Sequence, residues 1–395
     1  MAAIKIKEGV FYVGAIDWHR RLFDALIPLP DGTSYNSYLV RGADKIALVD
    51  TVDPSREQDL VSNLESLGVT KIDYIVANHA EQDHSGLVGR MAERYGGAKI
   101  VTNAKCKDLL KEHLLVPEER FLVVGDNERL PLGGKTLQFM LAPWVHWPET
   151  MFTYLVEDKI LFPCDFLGAH LAPHRLMVDD LADFHHAAKR YYAEIMMPFR
   201  VNVRKHIERV KAMDIEIVAP SHGPIHMQPK AIIAAYEDWA SDSVKNEVVI
   251  PFVSMHGSTE KMVGYLVDRL VERGITVRPF DLVVTDLGSL AAALVDAATL
   301  VVGAPTVLVG PHPQAAYAAF VANALRPKLR FASVIGSYGW GSKMVETIQA
   351  MIPNLKVEIL GPVVVKGYPK PDDFKALDRL ADQILEKHRQ AGLAR

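Results

Sequence analysis

From residue 246 onward the chain repeats one unit: a short apolar run, a turn, then a helical stretch. VVIPFV, ITVRPFDLV, TLVVGAP, RFASVIGS and VEILGPVVV are strand-like. Helical stretches follow the first four and close the chain at about Pro371 to Gln390. In the first of them Met262, Val263, Leu266, Val267 and Leu270 fall at helical spacing. Strands that alternate with helices must run parallel and be covered on both faces. Five such units in about 150 residues predict one doubly wound, five-stranded parallel sheet over 246–395.

The first 245 residues have a different rhythm. SYNSYLVRG, KIALVDTV, YIVANH, KIVTN, TLQFMLAP, MFTYLVE and KILFPCDF are β-rich and are interrupted by two or three amphipathic stretches, which predicts an α/β sandwich. WASDSVKNE supplies the polar and small residues of a boundary near Ala240–Lys245. Two domains, 1–245 and 246–395, suit a chain of 395 residues.

Several classes are excluded. The net charge of −4, from 44 basic and 48 acidic residues, lacks the electrostatic footprint of a nucleic-acid binder. No apolar stretch approaches the ~20 residues of a membrane helix, and ATLVVGAPTVLVG is broken by Pro and Gly. MAAIKIKEGVFYVG alternates like a strand and has no signal-peptide pattern, so the expected location is the cytoplasm. Two cysteines, Cys106 and Cys164, are too few for a disulfide framework or a four-thiolate cluster. Without a CxxC pair no rubredoxin-like module is expected, and electrons must come from a separate donor.

The densest chemical signal is Asn78-His79-Ala80-Glu81-Gln82-Asp83-His84-Ser85-Gly86, between the strand YIVA and a helix beginning near Leu87. A single histidine is ordinarily hydrogen-bonded or at the surface. Four ligand-type residues within six positions are not ordinary. Extended alternation predicts His79, Glu81 and Asp83 on one side and His84 on the other. His146, Asp165 and His222 each end a further strand-like run. The seven together suffice for two metals that share one carboxylate and leave positions open for a small molecule. His170 is a candidate neighbour of the metals, while His185, His186, His206 and His226 are expected to be ordinary. Trp144 and Trp147, which flank His146, have core packing as their default role.

A second constellation lies in the C-terminal part. VVIPFV runs into Ser254-Met255-His256-Gly257-Ser258-Thr259 and then a helix, an arrangement that offers backbone and hydroxyl donors to a phosphate. It has neither a lysine nor GxGxxG, which argues against a P-loop or a dinucleotide site and for a monophosphate in a flavodoxin-type loop. Gly303-Ala304-Pro305-Thr306-Val307-Leu308-Val309-Gly310 and Ser337-Tyr338-Gly339-Trp340-Gly341-Ser342 follow the third and fourth strands, at the carboxyl edge where such sheets bind ligands. Tyr338 and Trp340 are suited to flanking an isoalloxazine, with glycine backbone at its polar edge.

HxExDH, a lone His, a lone Asp and SHG, in this order, resemble the metallo-β-lactamase superfamily, and Glu81 in place of the usual histidine resembles its flavodiiron branch. The loops are similar to that family's flavin pattern, with Ala304 where Ser is usual and Leu308 where Asn is common. The resemblance spans nearly the whole chain. It implies a metallo-β-lactamase-like αββα sandwich fused to a flavodoxin-like domain, with a non-haem diiron centre and FMN as cofactors. His79, Glu81 and His146 would hold one iron, Asp83, His84 and His222 the other, and Asp165 would bridge. Ser254 to Thr259, Pro305 to Val307 and Ser337 to Gly341 would contact FMN, and the aromatics around His146 would line the diiron pocket. The implied activity passes electrons from rubredoxin or reduced F420 through FMN to the irons, which reduce O2 to water or NO to N2O. A head-to-tail homodimer or a tetramer would bring one chain's flavin to the other's irons. Two other readings use the same residues: a dizinc hydrolase of thioesterase or lactonase type with a flavin appendage, and a non-enzymatic redox or gas-sensing module.

Overall fold

The computed structural model describes residues 3–395; Met1 and Ala2, which head the expected first strand, lie outside the described residues. The chain divides into two compact units, one ending at Ala240 and the other beginning at Ser241. The division falls within the expected linker but before the 245/246 boundary. Lys245 already belongs to the second unit: it opens the strand Lys245–Phe252, and its backbone N–H donates to the Asp296 carbonyl at 2.8 Å.

The first unit is built on two seven-stranded sheets. One is assembled in the order Ile4–Lys7, Val10–Tyr12, Tyr38–Arg41, Ile46–Val49, Tyr74–Val76, Lys99–Thr102 and Phe121–Val123. Its strands alternate as the pleat requires. Tyr38, Val40, Ala47, Val49, Val76 and Val101 face the second sheet, where Leu137, Phe139, Met151, Leu155, Ile160 and Phe162 complete one core. Leu39, Leu48, Ile75 and Ile100 face the other way, against Leu60 and Leu64 of helix Glu57–Ser66, Met91 of Val88–Arg94 and Leu110 of Ala104–Leu114. The outer face of the second sheet is covered in part by aromatic packing, with Phe166 against Phe152 at 5.3 Å and Tyr236 of helix Lys230–Ala240 against Phe166 at 5.4 Å. Helix, sheet, sheet and helix layers are the expected αββα sandwich.

The second unit is a parallel sheet in the order Thr276–Asp281, Lys245–Phe252, Ala297–Val307, Phe331–Tyr338 and a divided fifth position. Glu358–Ile359 and Val363–Lys366 both pair with Phe331–Tyr338 in succession, because Gly361 and Pro362 interrupt the run. Met262, Leu266 and Leu270 of helix Ser258–Glu272 and Leu377, Leu380 and Ile384 of Pro371–Gln390 cover one face. Leu290, Ala318, Met344 and Ile348 cover the other. This is the doubly wound flavodoxin-like arrangement expected from the alternation. A short antiparallel segment, Gly310–Pro311, folds back onto the end of the third strand. No helix of the described residues is long and apolar enough to cross a membrane.

The sheet of the second unit has no spare room at Gly336. A Cβ built there would stand 1.9 Å from the Ala304 carbonyl oxygen and 2.8 Å from Met344. Gly336→Ala therefore overpacks the paired third and fourth strands and lowers the stability of this unit by about 3 kcal/mol. Denaturant unfolding followed by far-ultraviolet circular dichroism checks it, and an unchanged transition would contradict the packing described here.

Candidate metal centre and flavin loops

Each metal-type side chain in the first unit is delivered by a strand end or by a turn pinned from beneath. Asp50, itself buried, accepts from the Asn78 backbone at 2.8 Å and from Asn78 Nδ2 at 2.9 Å, while Thr153 Oγ1 donates to Asn78 Oδ1 at 2.7 Å. These bonds fix where the chain leaves strand Tyr74–Val76 and enters the His79 loop. The chain then turns helical over Gln82–Ser85, with the Ser85 N–H donating to the Glu81 carbonyl at 2.9 Å. The helical turn overturns the alternation expected for an extended loop. His79 and Glu81 face one way, and Asp83 is carried to the other side together with His84.

The result is two main groups of donor atoms on either side of Asp165, with a third set, His84, Cys164 and Asp165, overlapping them. His79, Glu81, His146 and Asp165 form one group, and Asp83, His84 and His222 form the other. Asp165 Oδ2 lies 3.5 Å from His79 Nε2 and 3.5 Å from His146 Nε2. Its Oδ1 lies 3.0 Å from His84 Nε2 and 3.4 Å from His222 Nε2. Glu81 Oε2 is 3.2 Å from both His79 and His146. Asp83 approaches His84 at 3.4 Å and His222 at 3.1 Å, yet neither Asp83 oxygen accepts a hydrogen bond from the described residues. Donor atoms this closely gathered point at a common centre, and the buried Asp83 oxygens without a hydrogen-bond partner fit a cation.

The electrostatics agree. Burial alone would raise the Asp165 carboxyl, but the His84 charge and hydrogen bonds from His146, His222 and His84 hold it well below the usual range. For His222, burial would lower the imidazole, and the neighbouring Asp165 and Asp83 carboxylates instead push it up to about 10. His79, His84 and His146 are raised against burial in the same way. Carboxylates that favour a positive charge on every neighbouring ring favour a metal cation in the same place.

Several contributors carried no sequence signal. Glu149 is buried and its Oε1 accepts from His79 Nδ1 at 2.7 Å and from the Ala80 N–H at 3.0 Å. It lies three residues beyond His146, on no recognisable spacing. The Ser34 carbonyl, 2.6 Å from His222 Nδ1, orients that ring likewise. Tyr191 donates to Asp165 Oδ1 at 2.9 Å. Asp24, exposed on the turn between Leu22–Phe23 and Ile27–Pro28, is raised to about 6 by partial desolvation and by the charges of Glu81 and Asp83.

His170 is buried with its ring 4.8 Å from that of His222, its Nδ1 3.1 Å from Thr33 Oγ1, and its Nε2 without a hydrogen-bond partner among the described residues. His206 and His226 bond the Pro143 and Leu167 carbonyls, and His185 packs on Trp239. Trp147 packs edge-on against His79 at 4.9 Å, whereas Trp144 is half exposed and stacks on Phe199.

In the second unit the three loops follow neighbouring strands at one edge of the sheet. Gly257, with φ of 80°, opens helix Ser258–Glu272, and Ser254 Oγ accepts from the Glu260 N–H at 3.2 Å. Met255 and His256 lie between them. Thr259 Oγ1 is buried without a hydrogen-bond partner among the described residues, a spare donor in a loop of hydroxyls and amides that fits a phosphate. Pro305, Thr306 and Val307 end the third strand, and Ser337 and Tyr338 end the fourth. Gly339 and Gly341 have open space where a Cβ would stand, and Trp340 between them is exposed.

Residues 33–223 match the family described as ODP family beta lactamase, and residues 250–377 match flavodoxin. A nitric oxide reductase of Moorella thermoacetica is 34% identical over 395 residues, covering 97% of this chain and 98% of that protein. A flavo-diiron protein of Clostridium acetobutylicum is 31% identical over 403 residues, covering 98% of this chain and 100% of the relative. The chain belongs to the flavodiiron protein family. The solved rubredoxin oxygen:oxidoreductase of Desulfovibrio gigas superposes with a TM-score of 0.94 at 29% identity, covering 98% of this chain and 99% of that one. Membership accounts for both constellations in one flavodiiron chain.

Glu149 gives the centre a measurable property. A carboxylate on the far nitrogen of a metal-binding imidazole fixes its tautomer and raises its basicity. Glu149→Gln is expected to weaken iron retention about 10- to 100-fold in chelator competition. Retention equal to the wild type would remove Glu149 from the centre.

Proposed function

We propose that this flavodiiron protein is an oxidoreductase that takes electrons from an external donor through FMN to a non-haem diiron site and reduces O2 to water, NO to N2O, or both. The observation that carries the reading is the orientation of Asp165, with one oxygen toward His79 and His146 and the other toward His84 and His222. His79, Glu81 and His146 would hold one iron, Asp83, His84 and His222 the other, and Asp165 would be shared between them. FMN, when bound, supplies an electron relay, and the irons supply the site of gas reduction.

The chain's own residues position and shield these groups. Glu149 and the Ser34 carbonyl hold the outer nitrogens of His79 and His222. Trp147 covers His79, and Phe23 packs against His170 and His222 at 5.0 and 6.3 Å. Tyr191 keeps its hydroxyl on Asp165. The Ser254–Thr259 loop would take the FMN phosphate, and the 305–307 and 337–341 loops would take its ring.

Three carboxylates among seven ligands make a hard, anionic site, which suits iron better than zinc. A dizinc hydrolase is therefore not favoured. The donor is a rubredoxin-like protein or reduced F420, the substrates named in relatives. The two sites belong to different compact units, and the working form is a head-to-tail homodimer or a tetramer built from it. A closed two-fold pair is the commonest way to join such sites.

Purified protein analysed for metal and flavin, chemically reduced without air and mixed in stopped flow with O2 and separately with NO, tests this. The expected result is about two irons and one FMN per chain with rapid multi-electron reoxidation, in a protein that sediments as a dimer or larger. Zinc in place of iron, with reoxidation no faster than free FMN, would sink the reductase reading.

A further inference from the structure

Leu308 and Val309 are the two central residues of a tight turn, since Thr306 pairs with Pro311 and Val307 with Gly310 in antiparallel register. Both have left-handed backbone, with φ of 48° at Leu308 and 74° at Val309. A hairpin turn with two positive φ values is the one that Asn-Gly fills best, because glycine meets no steric opposition there and asparagine little. Leucine followed by β-branched valine is the opposite choice, and valine's own side chain opposes this conformation.

The turn is held from outside. The Lys343 N–H donates to the Val309 carbonyl at 2.7 Å, and the Thr306 and Ser342 hydroxyls bond at 2.8 Å. These two bonds lace the turn to the loop that carries Trp340. Leu308 is 90% exposed and Trp340 85%, so the laced loops hold out two large apolar side chains. Neither strain nor apolar exposure stabilises a chain by itself. Together they mark a segment shaped for what it contacts.

We propose that the Leu308–Val309 turn is a strained apolar cover for the flavin ring, in which Leu308 joins Trp340 in shielding the isoalloxazine from water. The inference rests on the reading that the three carboxyl-edge loops bind FMN. A polar Asn-Gly turn at this place relaxes the backbone and leaves that part of the ring wet.

The test uses full-length protein stripped of flavin, thermal unfolding of this apo form, and titration with FMN followed by flavin fluorescence. In Leu308→Asn/Val309→Gly the apo-protein Tm rises by about 3 °C as the strain is relieved, while the FMN Kd rises about tenfold as apolar contact is lost. Leu308→Ala, which keeps the strained Val309, raises the Kd several-fold and leaves the apo Tm unchanged. Stability and affinity moving in opposite directions is a result that a purely structural turn does not give. Unchanged FMN affinity in both variants overturns the proposal, and so does an apo Tm that fails to rise in the double variant. A wild-type chain that does not bind FMN at all refutes the flavin reading itself, and the inference with it.

Discussion

Asp165 is buried and presents its two oxygens to two different sets of imidazoles. With Glu81 and Asp83 it gathers three carboxylates in one place, all with little access to water. Burying that much negative charge without compensation would cost several kcal/mol per ion. Four imidazoles stand against it, each raised against burial by the carboxylates beside it. Much of the first unit serves this concentration of charge. Asp50 and Asn78 anchor the His79 loop, Tyr191 caps Asp165, and Glu149 and the Ser34 carbonyl hold the outer faces of two rings.

The second unit works by another principle. Its flavin loops carry little charge, and they offer backbone amides, hydroxyls and aromatic surface at the carboxyl edge of a parallel sheet. The placement follows from topology: loops after adjacent parallel strands converge at one edge, whatever their sequences. The strain at Leu308 and Val309 is a local departure from that economy, and it occurs in one of the three loops at the carboxyl edge of the sheet.

The fold was legible because it rests on periodicity. Strict βα alternation from residue 246 leaves few arrangements other than a covered parallel sheet, and the five strand positions stand where the apolar runs lie, the last divided at Gly361 and Pro362. In the first unit the strand runs were equally readable, since Leu39, Leu48, Ile75 and Ile100 alternate with Tyr38, Ala47, Val49 and Val101 as sheet faces demand. The extended geometry assumed for the His79 loop was not legible in this way. A four-residue helical turn at Gln82–Ser85 is too short to leave a periodic signature, and it alone moves Asp83 from the His79 side to the His84 side.

The sequence by itself determined the two-domain architecture, the seven ligand-type residues and the three loops at the carboxyl edge of the second sheet, because each is written in local spacing and residue type. Only the tertiary structure decided which ligands group together, that Asp165 faces both groups, and that Glu149, Ser34, Tyr191 and Asp24 surround them. Those relations join residues far apart in the chain, such as His79 with Glu149 and Ser34 with His222. They depend on distances set by sheet packing, and no local pattern encodes them.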